Sequence, residues 1–256
     1  MKNIIVILLF ICTSIMTHAQ VNKKDADKYA VDTTAKFRNE LFSTGRVSFG
    51  LKAGFTLANI GGSDVGNTFA DSKTDYLPSF HAGIMVNSMM GKYFWLKHEL
   101  LIIQKGAGVT LQDSTNGKYS STLKMLSLDL FPFSPTFHVK GFQLYAGPYA
   151  SVLIDAQIKR KDNNGQYYED HSIFGDGSQF ENKSKYLQKF DFGINAGIEY
   201  QFPFGVALGI KYTHGFVDIF QYANSYTLND GDKRIKIYNR SLLFSIAYSF
   251  GQKKQR

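Results

Sequence analysis

The amino-acid sequence predicts an all-β fold, and three observations support that prediction. In residues 189–202, KFDFGINAGIEYQF, the side chains divide by parity from Phe190 onward. The set from Phe190 to Phe202 is wholly apolar, whereas the set from Asp191 to Gln201 holds only glycine, amides and carboxylates. A period of two residues is typical of a β-strand with two different faces. Similar segments recur along most of the 256-residue chain. The links between these segments also alternate between short and long.

Eight strands follow from this periodicity. The third is less cleanly divided than the others, and the fourth places Leu126, Leu128 and Leu130 on one side. We expect each segment to form a strand long enough to cross a bilayer at a tilt, which takes about 9 to 11 residues. The predicted strands, in chain order, lie within residues 47–57, 80–87, 93–111, 119–133, 142–158, 189–202, 205–215 and 241–250.

The lengths of the links indicate how the strands are arranged. The links after the second, fourth and sixth strands are short, spanning about residues 89–92, 131–140 and 203–204. The others are mostly longer, spanning about residues 58–78, 112–118, 158–187 and 217–236. Short turns at one end and long loops at the other are typical of membrane-spanning barrels. We therefore predict an eight-stranded antiparallel up-and-down transmembrane β-barrel, with both termini on the short-turn side.

The composition of the polar face indicates which face looks inward. A soluble barrel would place the apolar face inside, but the polar face carries glycines that suit a narrow eight-stranded interior. These are Gly50, Gly54, Gly83, Gly147, Gly193, Gly197 and Gly209. Opposite charges on the same face can pair, which offsets the cost of burying them. The predicted polar network of the lumen comprises Lys52, Lys97, Glu99, Asp191, Glu199 and Lys211.

Aromatic residues near the strand ends favour the same orientation. A girdle of aromatic side chains marks the membrane interface of such barrels. The alternative is that these rings form the core of a soluble barrel. Those that fall toward the short-turn end are Phe49, Phe94, Phe142, Phe202, Phe204, Tyr248 and Phe250.

The N-terminus predicts export. Lys2, an apolar run over residues 4–11 and Thr17-His18-Ala19 are typical of a secretory signal, with a short membrane anchor as the alternative. We predict a signal peptide at 1–19, a periplasmic N-terminal arm at 20–45, the barrel at 46–251 and a C-terminal tail at 252–256. The only cysteine, Cys12, lies in the signal, so no disulfide is expected. The expected location is the outer membrane of a Gram-negative bacterium.

Charge and histidine spacing give little support for other functions. The net charge of +8 is spread along the chain, which argues against nucleic-acid binding. No histidines show metal-site spacing and no G-x-S-x-G occurs, so we expect no cofactor, no metal and no enzyme activity. His81 is expected to be a hydrogen-bonded interior residue. His98 or His214 would be the candidates if the barrel instead acted on lipids.

Three loop segments contain Asp, Asn and Gly residues: residues 161–170, 174–179 and 229–233. Their oxygens suit calcium, but none matches the twelve-residue calcium-loop pattern. Turn formation is the favoured interpretation.

Four segments carry a family resemblance. FGLKAGFTLANI, PSFHAGIMVNSMMGKYFWLKHELLIIQKGA, GFQLYAGPYASVLIDAQ and FDFGINAGIEYQF with GVALGIKYTHGFVDI resemble the PorT-like outer-membrane β-barrel family of Bacteroidetes. The resemblance implies an eight-stranded outer-membrane barrel, and its namesake subgroup is tied to protein secretion.

Three hypotheses for the function remain open. The first is a non-catalytic barrel whose loops or arm contact an envelope protein, for example a secretion component. The second is a narrow pore for small solutes, and the third is a lipid-directed enzyme. Outer-membrane lipid and lipopolysaccharide are the expected surroundings.

Overall fold

A computed structural model describes residues 47–173, 187–220 and 236–250. Nine strands and one helical turn lie in these ranges. The strands are β1 (Val47–Gly61), β2 (Leu77–Met89), β3 (Phe94–Asp113), β4 (Gly117–Val139), β5 (Phe142–Lys161), β6 (Tyr167–Asp170), β7 (Phe190–Gln201), β8 (Val206–Gly215) and β9 (Tyr238–Phe250); the helical turn is α1 (Val65–Thr68). The predicted signal peptide, N-terminal arm and C-terminal tail lie outside the described residues and stay predictions.

Eight of the strands form a closed antiparallel ring. Its order is β4-β3-β2-β1-β9-β8-β7-β5, and pairing between β4 and β5 closes it. The short strand β6 pairs with β5 and stands outside the ring. The predicted eight-stranded antiparallel barrel is therefore confirmed. Within the described residues, no helix is both long and apolar enough to cross a bilayer.

The side chains of the ring face the way that the glycine argument predicts. On β1, Leu51 is 56% exposed, whereas its neighbour Lys52 is 2% exposed. The same alternation holds along β7, where Ile198 is exposed and Glu199 is buried. The apolar face therefore points away from the barrel and the polar face fills its interior.

Two lumen glycines make room for aromatic rings. Gly197 pairs with Tyr145 and Gly193 pairs with Tyr149 across the β5–β7 interface. A Cβ atom on Gly197 would lie 2.6 Å from Tyr145 Cζ, and one on Gly193 would lie 2.7 Å from Tyr149 Cε1. Because these contacts are too short for carbon atoms, each tyrosine can fill the narrow lumen only if glycine faces it.

The aromatic girdle lies where it was predicted. Rings at the short-turn end point outward and contact one another, with centroids 4.8 Å apart for Phe142 and Tyr200 and 5.3 Å apart for Phe202 and Phe204. On β9, Tyr248 lies 4.8 Å from Phe250. Amphipathic and aromatic rings in this position suit the boundary between hydrocarbon and headgroups.

Strands β3, β4 and β5 are longer than the sequence predicted. The predicted long link over residues 112–118 is wrong, because β3 and β4 are joined by residues 114–116 alone. Asp113 Oδ1 accepts hydrogen bonds from the amides of Asn116 (2.6 Å) and Thr115 (2.9 Å), which tightens the turn. The hydrogen bond from Asn116, followed by that from Thr115, lowers the pKa of Asp113.

The link after β4 also differs from the prediction. It comprises residues 140–141, not 131–140, because β4 continues through Pro132 and Pro135 to Val139. Around this segment, β4 shifts register with both of its neighbouring strands, β3 and β5. Proline is tolerated in strands at such irregularities, where no ladder hydrogen bond is lost.

Beyond the apolar band, the extended strands form a second region, here called the crown. It comprises residues 60–75, 104–125, 153–173, 216–220 and 236–237, with Leu187. Its interior is an apolar cluster that includes Val109, Leu123 and Ile158. The loop after β1 covers the free edge of β3, since Gly108 and Asp75 exchange two backbone hydrogen bonds of 2.9 Å. The crown is thus a packed structure at the long-loop end.

Candidate functional site

Five of the six predicted lumen residues meet in one cluster. Lys52 comes from β1, Lys97 and Glu99 from β3, Glu199 from β7 and Lys211 from β8. All five are inward-facing and at most 3% exposed.

Small residues beside these side chains leave room for them. Lys52 pairs with Gly83 on one side and Ala247 on the other. Glu199 pairs with Gly209 across the β7–β8 interface. The interior of an eight-stranded barrel is narrow, so large inward side chains need small neighbours. The glycines of the polar face therefore place the charged residues as well as the aromatic ones.

The five charges alternate in sign and form what we call the ion-pair chain. Lys52 Nζ donates to Glu99 Oε1 at 2.6 Å and to Glu199 Oε2 at 2.9 Å. Lys211 Nζ donates to Glu99 Oε2, and Lys97 Nζ lies 3.1 Å from Glu199 Oε2 as an ion pair. The order is Lys211–Glu99–Lys52–Glu199–Lys97. Counted with every side chain ionised, three lysines and two glutamates give the chain a formal charge of +1.

Aromatic faces cover the two terminal lysines. Lys211 Nζ lies 3.8 Å from the centroid of the Phe131 ring, and Lys97 Nζ lies 4.3 Å from that of Tyr145. A ring face attracts a cation because its quadrupole is negative there. Each end of the chain therefore has a partner besides its carboxylate.

The ion-pair chain ties opposite walls of the barrel together. In the ring, β3 and β8 are separated by β2, β1 and β9, so the Glu99–Lys211 contact crosses the lumen. The Lys52–Glu199 contact joins β1 to β7, which are not neighbours either. Removing one partner from such a buried set leaves an uncompensated charge, which typically costs about 3–5 kcal/mol.

Asp191 does not belong to this chain. Its Oδ2 atom accepts hydrogen bonds from Tyr149 Oη at 3.0 Å and from Asn239 Nδ2 at 3.1 Å. It lies 3.9 Å from Lys105 Nζ, which pairs at 2.9 Å with Asp129 Oδ2. The lumen thus contains a second polar cluster, at the border between the wall and the crown, and the single predicted network is divided in two.

Sequence reasoning missed Lys105 and Asp129. Both lie at inward positions of their strands, and Asp129 stands among outward-facing leucines. That parity signal was available in the sequence. The longer, less cleanly divided third strand obscured it for Lys105.

An apolar layer separates the two polar clusters. It consists of Leu101, Ile103, Phe131, Tyr149 and Leu243, all 2% exposed or less. Beside the second cluster lies a cavity of about 20 Å³, which is room for about one water molecule. The lumen is therefore filled by alternating polar and apolar layers.

His81 is a hydrogen-bonded interior residue, as predicted. Its Nδ1 lies 2.9 Å from Thr56 Oγ1 and its Nε2 lies 2.9 Å from Ser245 Oγ. Both ring nitrogens are thus occupied by hydroxyl groups, one from the adjacent strand β1 and one from β9, the next strand beyond it.

The two histidines considered for lipid chemistry point outward. His98 Nδ1 contacts the carbonyl oxygen of Pro132, and His214 Nδ1 lies 3.4 Å from Tyr212 Oη. His214 also packs against Phe216, with ring centroids 5.6 Å apart. Neither of these contacts is with a serine or a carboxylate. Across the described ranges, no group of His, Cys, Asp and Glu residues is arranged to hold a metal ion.

One of the three polar loop segments is described, and it forms a turn. Asp162 Oδ1 accepts hydrogen bonds from the amides of Asn164 and Gln166, both at 2.8 Å. Gly165 has a positive φ of 76° that favours glycine. The predicted turn chemistry is confirmed here, whereas residues 174–179 and 229–233 lie outside the described residues.

Comparison with known proteins places the barrel in a family. Residues 19–221 match the model of the family described as "Outer membrane protein beta-barrel domain". The search of curated protein sequences found no match.

Solved structures similar to this chain include three outer-membrane proteins. Ail of Yersinia pestis has 10% identity and a TM-score of 0.42, covering 80% of this chain and 99% of its own. Neisserial surface protein A has 12% identity and a TM-score of 0.40, covering 80% and 99%. OprG of Pseudomonas aeruginosa has 13% identity and a TM-score of 0.39, covering 79% and 95%. By its family match and its closed ring of strands, this chain belongs to the outer membrane protein β-barrel domain family.

Proposed function

We propose that this protein is a closed, non-catalytic outer-membrane anchor that presents its crown and loops to another envelope protein. The ion-pair chain carries this proposal, because it crosses the middle of the lumen and joins opposite walls. An anchor needs a rigid, impermeable wall, whereas a solute pore needs a continuous water path.

The filling of the lumen supports the closed state. An eight-stranded barrel leaves an interior just wide enough for side chains. Here the ion-pair chain, the apolar layer around Phe131 and the cluster around Lys105 follow one another along the axis. The apolar cluster of the crown lies beyond them. Four successive layers would have to move before a solute could pass.

The crown supports a role in presentation. A barrel that served only to span the bilayer would need strands of about 9–11 residues, but β3, β4 and β5 have 20, 23 and 20. The additional length forms a packed structure whose outer side exposes Tyr167 and Tyr168. Exposed aromatic residues on a rigid support are frequent in binding surfaces.

The partner we propose is an envelope protein, and a component of protein secretion is the specific candidate. The resemblance to PorT-like barrels supports this choice. The long-loop end places the crown on the side that such barrels direct outward.

Planar-bilayer recording tests the closed state. We expect the purified barrel to give no stable conductance steps, and Phe131→Ala to remain silent because two polar layers still fill the lumen. Stable steps in the unmodified protein would contradict the anchor and support the pore.

Crosslinking in intact cells tests the partner. A photoreactive amino acid at Tyr168 in the crown should give one specific adduct with an envelope protein, and the same group at Lys92 in a short turn serves as the control. Specific capture at Lys92 alone, or at neither position, would contradict presentation by the crown.

Incubation of the purified barrel with lipid A tests the enzyme hypothesis. A change in lipid mass that depends on His98 or His214 would support catalysis and contradict a non-catalytic anchor.

A further inference from the structure

An apolar groove of about 560 Å³ lies on the outer face of β7, β8 and β9. Two rows of outward side chains form its walls. One row contains Ile198, Ile210 and Phe244, and the other contains Tyr200, Leu208 and Ile246; paired residues on neighbouring strands make up each row. Phe142 closes one end, and backbone around Gly209 contributes to the floor. The groove is shallow and open along its outer side.

The position of the groove identifies what fills it. Its walls belong to the apolar band that faces the membrane, where most of them are 43–55% exposed. The surrounding medium there is hydrocarbon, so the molecules that reach the groove are lipid acyl chains. A chain lying between two rows of side chains makes close contacts along its length, and such contacts add up even though each is weak.

One end of the groove lies at the membrane interface. Tyr200 and Phe142 belong to the aromatic girdle, with ring centroids 4.8 Å apart. Gly141 adjoins Tyr200, since a Cβ atom there would lie 3.1 Å from Tyr200 Cε2. Lys140 precedes Gly141 and is exposed in the β4–β5 turn. Lys140 is therefore the turn lysine next to the girdle end of the groove, where a lipid headgroup would lie.

The charge of this rim complements an anionic headgroup. The three short turns comprise residues 90–93, 140–141 and 202–205. They carry Lys92 and Lys140 and no carboxylate. Lysines near a membrane surface attract anionic lipids, and the attraction weakens beyond a Debye length.

We propose that this groove binds an anionic phospholipid from the leaflet at the short-turn end. One acyl chain lies between the two rows of side chains, and the phosphate group lies at Lys140. Lys92 is not part of the site, because the groove is lined by residues of β1, β5, β7, β8 and β9 whereas Lys92 lies in the turn between β2 and β3.

Native mass spectrometry of the barrel released from bilayers tests the headgroup contact. The bilayers contain phosphatidylglycerol and phosphatidylcholine in equal amounts. Lys140→Gln should lower the retention of phosphatidylglycerol about fivefold relative to phosphatidylcholine, whereas the matched control Lys92→Gln should leave the ratio unchanged. Equal effects of the two substitutions would overturn the headgroup assignment.

A second pair of variants tests the groove itself. Ile210→Trp fills the groove and should reduce the retention of both lipids, while Ile84→Trp places the same ring on the outer face of β2 and should not. Equal retention in these two variants would overturn the groove as the site. Preferential retention of added lipid A over phosphatidylglycerol would contradict a phospholipid of the short-turn leaflet.

Discussion

The membrane-spanning wall and the crown are built from the same strands with the roles of their faces exchanged. Along β4, the outward residues Leu126, Leu128 and Leu130 are apolar, and the inward residue Asp129 is charged. Within the crown, the outward residues of β4 are polar and the inward ones apolar. The outward residues in that part are Lys118, Ser120, Thr122 and Lys124, and the inward ones include Leu123 and Met125.

This exchange shows that the surroundings decide which face is buried. Where hydrocarbon surrounds the barrel, apolar side chains are stable outside and the lumen must hold the polar ones. Where water surrounds it, the hydrophobic effect packs apolar side chains inside. On β3 the exchange falls between Ile102 and Gln104, and on β4 between Leu126 and Lys124. These positions mark the edge of the apolar band at the long-loop end.

The largest expected effect comes from breaking the core of the wall. Glu99→Gln leaves Lys52 with one carboxylate and Lys211 with none in the ion-pair chain, and should destabilise the barrel by about 3–5 kcal/mol. Urea unfolding in lipid vesicles measures this, with the single tryptophan, Trp95, as the reporter.

A second substitution serves as the control for that experiment. In the double variant Glu99→Gln with Lys211→Met, no ammonium group is left without a carboxylate, so much of the lost stability should return. If Glu99→Gln alone costs less than about 1 kcal/mol, the ion-pair chain does not hold the walls together as we describe.

Breaking the core of the crown should have a different result. Leu123 is fully buried in its apolar cluster, so Leu123→Ala should cost about 2–5 kcal/mol. We expect the loss to appear as faster hydrogen exchange in the crown while amides of the membrane-spanning wall stay protected. Uniform loss of protection in both regions would show that they unfold as one unit.

Arginine substitutions at two positions on the outer face of β4 test where the apolar band ends. Leu128→Arg places a guanidinium in hydrocarbon and should cost about 2–4 kcal/mol. Thr122→Arg lies on the same face of the same strand, but in the crown, and should be close to neutral. The folding free energies of the two variants measure this difference, and equal costs would contradict the assigned boundary.

The smallest expected effect concerns an ion pair of the crown. Lys124 Nζ lies 3.4 Å from Glu169 Oε1, and both side chains are well exposed. Glu169→Gln should change stability by about 0–1 kcal/mol, because water screens such pairs. Urea unfolding of this variant and of Glu99→Gln compares the loss of one glutamate carboxylate from an exposed ion pair with the same loss from the buried ion-pair chain. A cost as large as that of Glu99→Gln would contradict the comparison.

Parity in the sequence predicted the wall well but the crown poorly. It placed Lys52, Glu199 and Lys211 inside, because glycine and charge shared one face over whole strands. It did not predict the length of β4, since Pro132 and Pro135 read as the end of a strand. Only the pairing of β4 with both neighbours shows that the strand continues through this irregularity.

The connections within the lumen depended on more than parity. Which lysine pairs with which glutamate depends on the positions, along the barrel axis, of residues on strands that are not neighbours, such as β3 and β8. The register within each hairpin does not fix these relative positions; the closure of the ring does. For the same reason Asp191 was grouped with Glu199, although its partners are Tyr149, Asn239 and Lys105.

The most direct test of the exchanged faces is a cysteine scan along β4. The chain has one native cysteine, in the predicted signal, so single cysteines at 118–130 carry a fluorophore without competition. In vesicles of brominated lipid, we predict strong quenching at 126, 128 and 130 and little at 118, 120, 122 and 124. Quenching at 127 and 129, or at 120 and 122, would contradict the inverted arrangement of wall and crown.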